Sequence, residues 1–381
     1  MTTYRCWAEI DLNALKQNLH SIRTLVGENK TIMTVVKADA YGHGLEEIAT
    51  HLMNSGTDAF AVANLNEAHH IRRRGSNGWP ILMLGACSTR EEREYAIRQQ
   101  VMMSVSRPEE ITAIAQIVQQ LNQESPAMVQ IKVDTGMGRL GVTPGEVINL
   151  VRHIQKLSPY VEMKGIFTHL AAAEDDVEFT ANQLCTFKNL LQDVARIGIV
   201  PQYTHASSSG GILLENNDLL NTVRPGLIIY GITPEGKRPQ PHLELIPALS
   251  FYCRVSLVKE ISAGTTISYG HTFTAPRTMR VATITAGYGD GYHRAATGKA
   301  SVLIHGMPCP ILGRITMDQM IVDVSHLDGV KMGDPVVLIG KQGTHQITAT
   351  QLAEWAGTIP WEVLTSISYR VQRIYTGTSA S

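Results

Sequence analysis

The sequence predicts an α/β fold: an N-terminal (β/α)8 TIM-type barrel followed by a mostly β C-terminal domain. Between residues 30 and 232, eight short apolar runs rich in β-branched residues alternate with polar segments of helical period. A proline-rich stretch follows, and beyond it the pattern turns to strand-like alternation. The runs lie at 32–36, 59–63, 81–84, 101–105, 128–133, 161–168, 203–206 and 221–224, with the clearest helices at 46–54, 109–121, 146–157 and 179–197. Eight parallel strands with helical crossovers close most naturally into a barrel. A doubly wound open sheet would want a Gly-x-Gly-x-x-Gly turn after its first strand, and none is there. The glycine-rich Gly287-Tyr-Gly-Asp-Gly-Tyr292 sits far downstream, where a turn between strands explains it as well as a functional loop does.

A length of 381 residues suits a barrel-sized domain plus a smaller one. Four prolines between residues 233 and 247 place the boundary near 240, giving domains at 1–240 and 241–381. Strand patterns then appear at 249–260, 280–285, 301–304, 320–324 and 334–339, with brief helices at 350–356 and 361–366.

Hydrophobic residues at 44% and charged residues at 18% describe a globular chain able to bury large cores. A formal charge of −1, with no basic block beyond Arg72-Arg73-Arg74 at a helix end, argues against nucleic acid as a partner. The first eleven residues carry Arg5, Glu9 and Asp11, and no run approaches eighteen apolar residues, so a cytoplasmic protein without membrane attachment is expected. Five scattered cysteines read as reduced thiols. The fourteen histidines include no His-Glu-x-x-His, so no metal is expected.

Chemistry in such a barrel sits at the C-terminal ends of the strands, and there the polar outliers fall. The first run ends Val35-Val36-Lys37-Ala-Asp-Ala-Tyr41-Gly-His-Gly44. An inward lysine without a carboxylate neighbour is costly unless it changes state, as in a Schiff base; a side chain that snorkels to solvent is the plainer reading. The small residues that follow would let backbone approach a ligand, with Tyr41 able to donate to phosphate. The fifth run ends Lys132-Val-Asp134-Thr-Gly-Met-Gly-Arg139 and the sixth Thr168-His169, where a satisfied core histidine is the alternative. After the seventh come Ser207-Ser-Ser209-Gly-Gly211, an anion-friendly helix start or a plain serine cap. The eighth ends Arg224-Pro-Gly-Leu.

The Lys37 motif resembles the cofactor-attachment motif of alanine racemases. Lys132-Val-Asp-Thr-Gly-Met-Gly-Arg139, Thr168-His169, Arg224-Pro-Gly, Ile267-Ser-Tyr269-Gly, Gly287-Tyr288-Gly-Asp-Gly-Tyr and Gly313-Arg314-Ile-Thr-Met317-Asp318 recur in the family's order across nearly the whole chain. The resemblance implies an isomerase that interconverts L- and D-alanine, assembled as a homodimer with active sites shared between chains. It implies pyridoxal 5'-phosphate held as a Schiff base by Lys37. The phosphate would lie among Tyr41, Ser209, the backbone of Gly226 and Leu227, and Tyr369. Arg139 would meet the cofactor's phenolic oxygen, the Met317 backbone would meet the substrate carboxylate, and Tyr288 and Tyr269 would narrow the entrance. Three positions depart from the usual pattern: Asp39 and Ser208 stand where many relatives have Asn, and Thr316 where Cys is common.

Racemisation needs a proton taken from one face and returned to the other, so two bases on opposite sides suit it. The resemblance assigns these to Lys37 and Tyr269, with Arg224 assisting Tyr269 through His169. Arg224 would face the pyridine nitrogen, and an arginine cannot hand that nitrogen a proton, which disfavours transamination. Related barrel decarboxylases carry glutamate there. Lys132, repelling Arg139 if both are charged, is expected to carry a carbamate. The product would serve peptidoglycan precursors or D-alanine catabolism. A cofactor-carrier protein is the non-enzymatic alternative, opposed by the added β domain with Tyr269, and decarboxylation is opposed by Arg224.

Overall fold

The eight apolar runs form eight parallel strands, Thr31–Val35, Ala59–Val62, Ile81–Met83, Met102–Val105, Ala127–Lys132, Val161–Phe167, Tyr203–His205 and Thr222–Val223. The structure is a computed structural model that describes residues 4–75, 78–214, 220–234 and 243–377. The strands pair in chain order from Thr31–Val35 to Tyr203–His205, and Thr222–Val223 pairs with the free edge of Thr31–Val35. The seam beside Tyr203–His205 is drawn together by single bonds, Arg224 N to Ser207 O at 2.9 Å and Thr204 N to the Asn221 side chain at 2.8 Å. The barrel is thus nearly closed. Ala59–Val62 is buried at every position, as expected of a strand between a packed interior and outer helices.

The helices begin where their caps say they should. Asn64, Thr89 and Asp176 each accept the amide three residues on, Thr89 in a reciprocal box with Glu92, and Pro108 opens Pro108–Gln120. In Val147–Lys156 the buried Val147, Leu150, Val151 and Ile154 form one stripe against the barrel.

The second unit is a nine-stranded sheet. Pro335–Gln342, Ser301–Ile304, Met307–Leu312, Met320–Asp323, Met279–Ile284 and Leu249–Ile261 run side by side, and the first also pairs with the last, closing a ring. His345–Ile347 flanks Pro335–Gln342. Ile261, Ile267, Ala275, Met279, Val281 and Leu312 form one of its cores.

The N-terminal segment groups with the β unit rather than with the barrel. Cys6–Asp11 is a strand of the β unit, antiparallel to Leu249–Ile261 and parallel to Gln372–Thr376, so backbone pairing outweighs its position in the chain. Lys16–Ala40 and Leu45–Leu245 form the barrel unit, while Tyr41–Gly44 groups with the β unit. The boundary expected at residue 240 lies outside the described residues. Among the described residues no helix is long and apolar enough to cross a membrane.

Candidate active site

Lys37 follows the first barrel strand and opens a turn of unusual hand. Ala38, Asp39, Ala40 and Tyr41 have φ of 52°, 55°, 52° and 53°, so the helical turn Lys37–Gly42 winds left-handed. For L-residues this costs about 1–2 kcal/mol each, and such strain persists only where the surroundings enforce it. Carboxylates hold the turn: Asp39 accepts the Leu45 amide at 2.7 Å, and Glu67 accepts the Ala38 amide at 2.7 Å. An Asn side chain at residue 39 would offer the same acceptor oxygen. Gly42, with φ of 79°, closes the turn where a Cβ would strike the Leu364 carbonyl. The Lys37 amine is held below the usual lysine range by burial and then by Arg139, with Glu67 opposing and Arg224 reinforcing that effect.

Arg224, after the eighth strand, is a buried cation held by several acceptors. It is 2% exposed. It donates to Thr168 O at 3.0 Å, Ala206 O at 2.9 Å and His169 Nδ1 at 3.1 Å, and also to His205 Nδ1. A guanidinium has no acceptor, so both imidazoles must present a bare nitrogen to it. His205 therefore carries its proton on Nε2, which meets Gln130 Oε1 at 2.7 Å. Its ring stacks on Phe167 at 4.7 Å. Burial and then Arg224 push both histidines down, His169 to about 3, so both are neutral. Burial lowers Arg224 to about 9, still protonated at neutral pH.

Lys132 ends the fifth strand, 5% exposed, with its amine 3.1 Å from Val133 O. Burial, followed by Arg224, lowers it to about 7. Asp134 gathers the amides of Gly136, Met137 and Gly138 at 2.9–3.1 Å and so shapes the loop that carries Arg139, which is exposed. Beyond the seventh strand, Ser209 Oγ accepts the amides of Gly226 at 3.1 Å and Ile228 at 3.4 Å. One hydroxyl thus joins the two turns that the family resemblance assigned to phosphate. Leu227 is fully buried, and so is nearly all of Tyr41, whose phenol burial pushes up.

The β unit presents its candidates differently. Tyr269 is 72% exposed, Tyr288 42%, Met317 50% and Tyr369 96%. Their turns interlock: Ser268 donates to Arg314 O at 2.6 Å, Tyr288 N to Thr316 O at 3.0 Å, and Gly289 N to Met317 O at 2.9 Å. Ser368 reaches Gly289 O at 2.9 Å, and Arg370 pairs with Asp318 at 2.6 Å. Gly270 has φ of 72°, and a Cβ there would meet the Arg314 guanidinium at 2.9 Å.

The structure thus brings Lys37, Lys132, Arg139, His169, Ser209, Arg224, Gly226 and Leu227 to the C-terminal ends of the barrel strands, and gathers Tyr269, Tyr288, Met317 and Tyr369 on neighbouring turns of the β unit. Sequence reasoning missed His205, Gln130 and Glu67. His205 closes the Tyr203–His205 strand, where a strand-end histidine was itself a signal; Gln130 lies inside an apolar strand and Glu67 in an ordinary helix start. The donor set fits pyridoxal phosphate: a lysine of weakened basicity, two arginines, and serine and backbone amides at two turns favour an anion bearing an amine-reactive carbonyl.

The family model for the alanine racemase N-terminal domain matches residues 10–234, and that for the C-terminal domain residues 248–375. The alanine racemase of Symbiobacterium thermophilum is 40% identical over 380 residues, covering 98% of each chain, and that of Halothermothrix orenii 38% identical, covering 97% of this chain and 96% of its own. The alanine racemase of Clostridium difficile 630 superposes with a TM-score of 0.91 at 36% identity, covering 99% and 97% of the two chains. That of Bacillus anthracis with bound L-Ala-P gives 0.88 at 32% identity, with the same coverage. The chain belongs to the alanine racemase family of isomerases.

Proposed function

We propose that the chain interconverts L- and D-alanine, with pyridoxal 5'-phosphate as cofactor and Lys37 and Tyr269 as bases on opposite faces of the substrate. The observation that carries this reading is Lys37, its basicity lowered by burial and Arg139, at the mouth of a barrel whose Arg224 is locked between two neutral imidazoles. The L-Ala-P carried by the Bacillus anthracis neighbour supports alanine as substrate.

Bound cofactor supplies the electron sink that makes an amino acid's α-proton removable. Lys37 holds the cofactor and moves the proton at the α-carbon on one face, and Tyr269 moves it on the other. Tyr41, Ser209, the amides of Gly226 and Leu227, and Tyr369 hold phosphate. Arg139 binds the phenolic oxygen, the Met317 amide the substrate carboxylate, and Tyr288 narrows the approach. Arg224 remains a cation and donates only, so beside the cofactor's ring nitrogen it would donate a hydrogen bond without giving up its proton. His169, fixed by Arg224, supports Tyr269 as a base. Lys132, at about 7, is partly unprotonated at neutral pH, the form whose nitrogen bonds to carbon dioxide and releases one N–H proton to solvent, giving a carbamate that binds Arg139.

The exposure of all four β-unit candidates supports a homodimer in which Tyr269 works beside the partner subunit's Lys37. The reaction belongs in the cytoplasm, supplying D-alanine for peptidoglycan or feeding its catabolism. The test is to incubate the chain with pyridoxal phosphate and L-alanine and follow D-alanine by chiral chromatography. Release of carbon dioxide without D-alanine would overturn the reading.

A further inference from the structure

We propose that Glu67 is the positioning residue of Lys37: one carboxylate, bridging the amides of Ala38 and Ala63, clamps the left-handed turn to the end of the second barrel strand and so fixes where the lysine amine stands. The inference rests on Lys37 being the cofactor-bearing residue. Glu67 Oε1 accepts the Ala38 amide and Oε2 the Ala63 amide, both at 2.7 Å. Ala38 directly follows Lys37, and Ala63 directly follows the strand Ala59–Val62. These short, charge-assisted bonds therefore tie neighbouring strand ends together at the mouth.

Helix capping alone does not explain the geometry. Glu67 is the third residue of Leu65–Arg73, whose cap Asn64 accepts the Glu67 amide at 3.0 Å. In a capping box the glutamate returns to the cap's own amide. Here one oxygen goes to the residue before the cap, and the other crosses to Ala38, 29 positions away in sequence. A left-handed run of four L-residues needs such an external restraint, and the restraint sits on its first amide. The carboxylate also has an electrostatic effect: burial, Arg139 and Arg224 all disfavour a charged Lys37, and Glu67 is the group that favours it.

The test compares full-length wild type with Glu67→Ala and Glu67→Gln, the latter keeping one acceptor oxygen. Hydrogen exchange is read at Ala38 and Ala63 before cofactor is added. Then the pH dependence of pyridoxal phosphate attachment is followed by absorbance, and kcat and KM for alanine are measured. In Glu67→Ala, exchange at both amides is expected to rise by about tenfold or more, as for loss of a charge-assisted bond, while the strand Thr31–Val35 stays protected. The attachment midpoint moves to lower pH, and kcat falls by up to about a hundredfold with little change in KM, as for a displaced reacting group. Glu67→Gln falls between the two and carries the test alone if Glu67→Ala does not fold. Unchanged exchange at Ala38 with an unchanged midpoint overturns the proposal, as does a uniform rise across the barrel, which would make Glu67 a general stabiliser. If wild type makes no D-alanine, the functional reading fails, while exchange at Ala38 still decides the clamp.

Discussion

The barrel mouth and the tyrosine-bearing turns of the β unit solve opposite problems. At the mouth, Arg224, Lys132 and Ser209 are 2–5% exposed, and each is bonded to neighbours in the same unit. On the β unit the backbone is just as firmly tied, yet Tyr269 and Tyr369 project with 72% and 96% of their surface in solvent. Buried groups can be tuned by their own chain, because low dielectric amplifies every neighbour. An exposed phenol gains no such tuning until something covers it. On the proposed reading, the difference means that half of the site is finished within one chain and half awaits a second surface.

The harshest way to break that contrast is Lys37→Ala, which should remove bound-cofactor absorbance and lower racemisation by more than about ten-thousandfold, since both anchor and base are lost. Persistence of cofactor attached covalently to the protein would show another lysine at work. Tyr269→Phe should keep the absorbance and lower racemisation by about 10²–10⁴, the usual worth of one acid-base group; loss of cofactor would make Tyr269 structural. Mixing the two inactive variants sharpens the comparison. If the β-unit tyrosine is completed by a second chain, half the randomly paired dimers carry one intact site, and about a quarter of wild-type activity returns. No recovery in demonstrated mixed dimers would refute sharing.

Smaller effects probe the buried side alone. His205→Leu leaves Arg224 and Gln130 each short of a partner, so unfolding in urea should become easier by about 1–3 kcal/mol. An unchanged midpoint would mean the cluster reorganises freely. The gentlest test is pH. His169 titrates at about 3 when folded against an ordinary value of 6.5, so between these values the unfolded chain binds more protons. Stability should fall as pH drops from about 6.5 toward 3, and His169→Gln should flatten that slope. Parallel slopes in wild type and variant would contradict a neutral buried imidazole.

How much was legible follows from the same physics. Parallel strands buried on both faces read as continuous apolar runs, so all eight barrel strands were found within a residue or two of their ends. Met307–Leu312 was missed because Pro308 and Pro310 argue against a strand, although it pairs with Ser301–Ile304. Cys6–Asp11 was missed because its partners are far away in the chain. The strand-end polar residues pointed to the mouth, whereas the roles assigned to Tyr269, Tyr288, Met317 and Tyr369 came from family resemblance, since exposed residues on turns leave no periodic signal. No local rule announces that four L-residues will turn left-handed after Lys37; only Gly42 hinted at it.

The placement of Cys6–Asp11 also bears on how the chain is made. This strand leaves the ribosome well before its partners, the antiparallel one beginning at Leu249 and the parallel one at Gln372. At about 5–20 residues per second, it waits roughly ten to fifty seconds before the first partner exists, and longer for the second. During that interval the barrel segments behind it are already available to fold. Its exposed edge is then a template for any passing strand. The pairing of Cys6–Asp11 is therefore complete only when Gln372–Thr376 has been made.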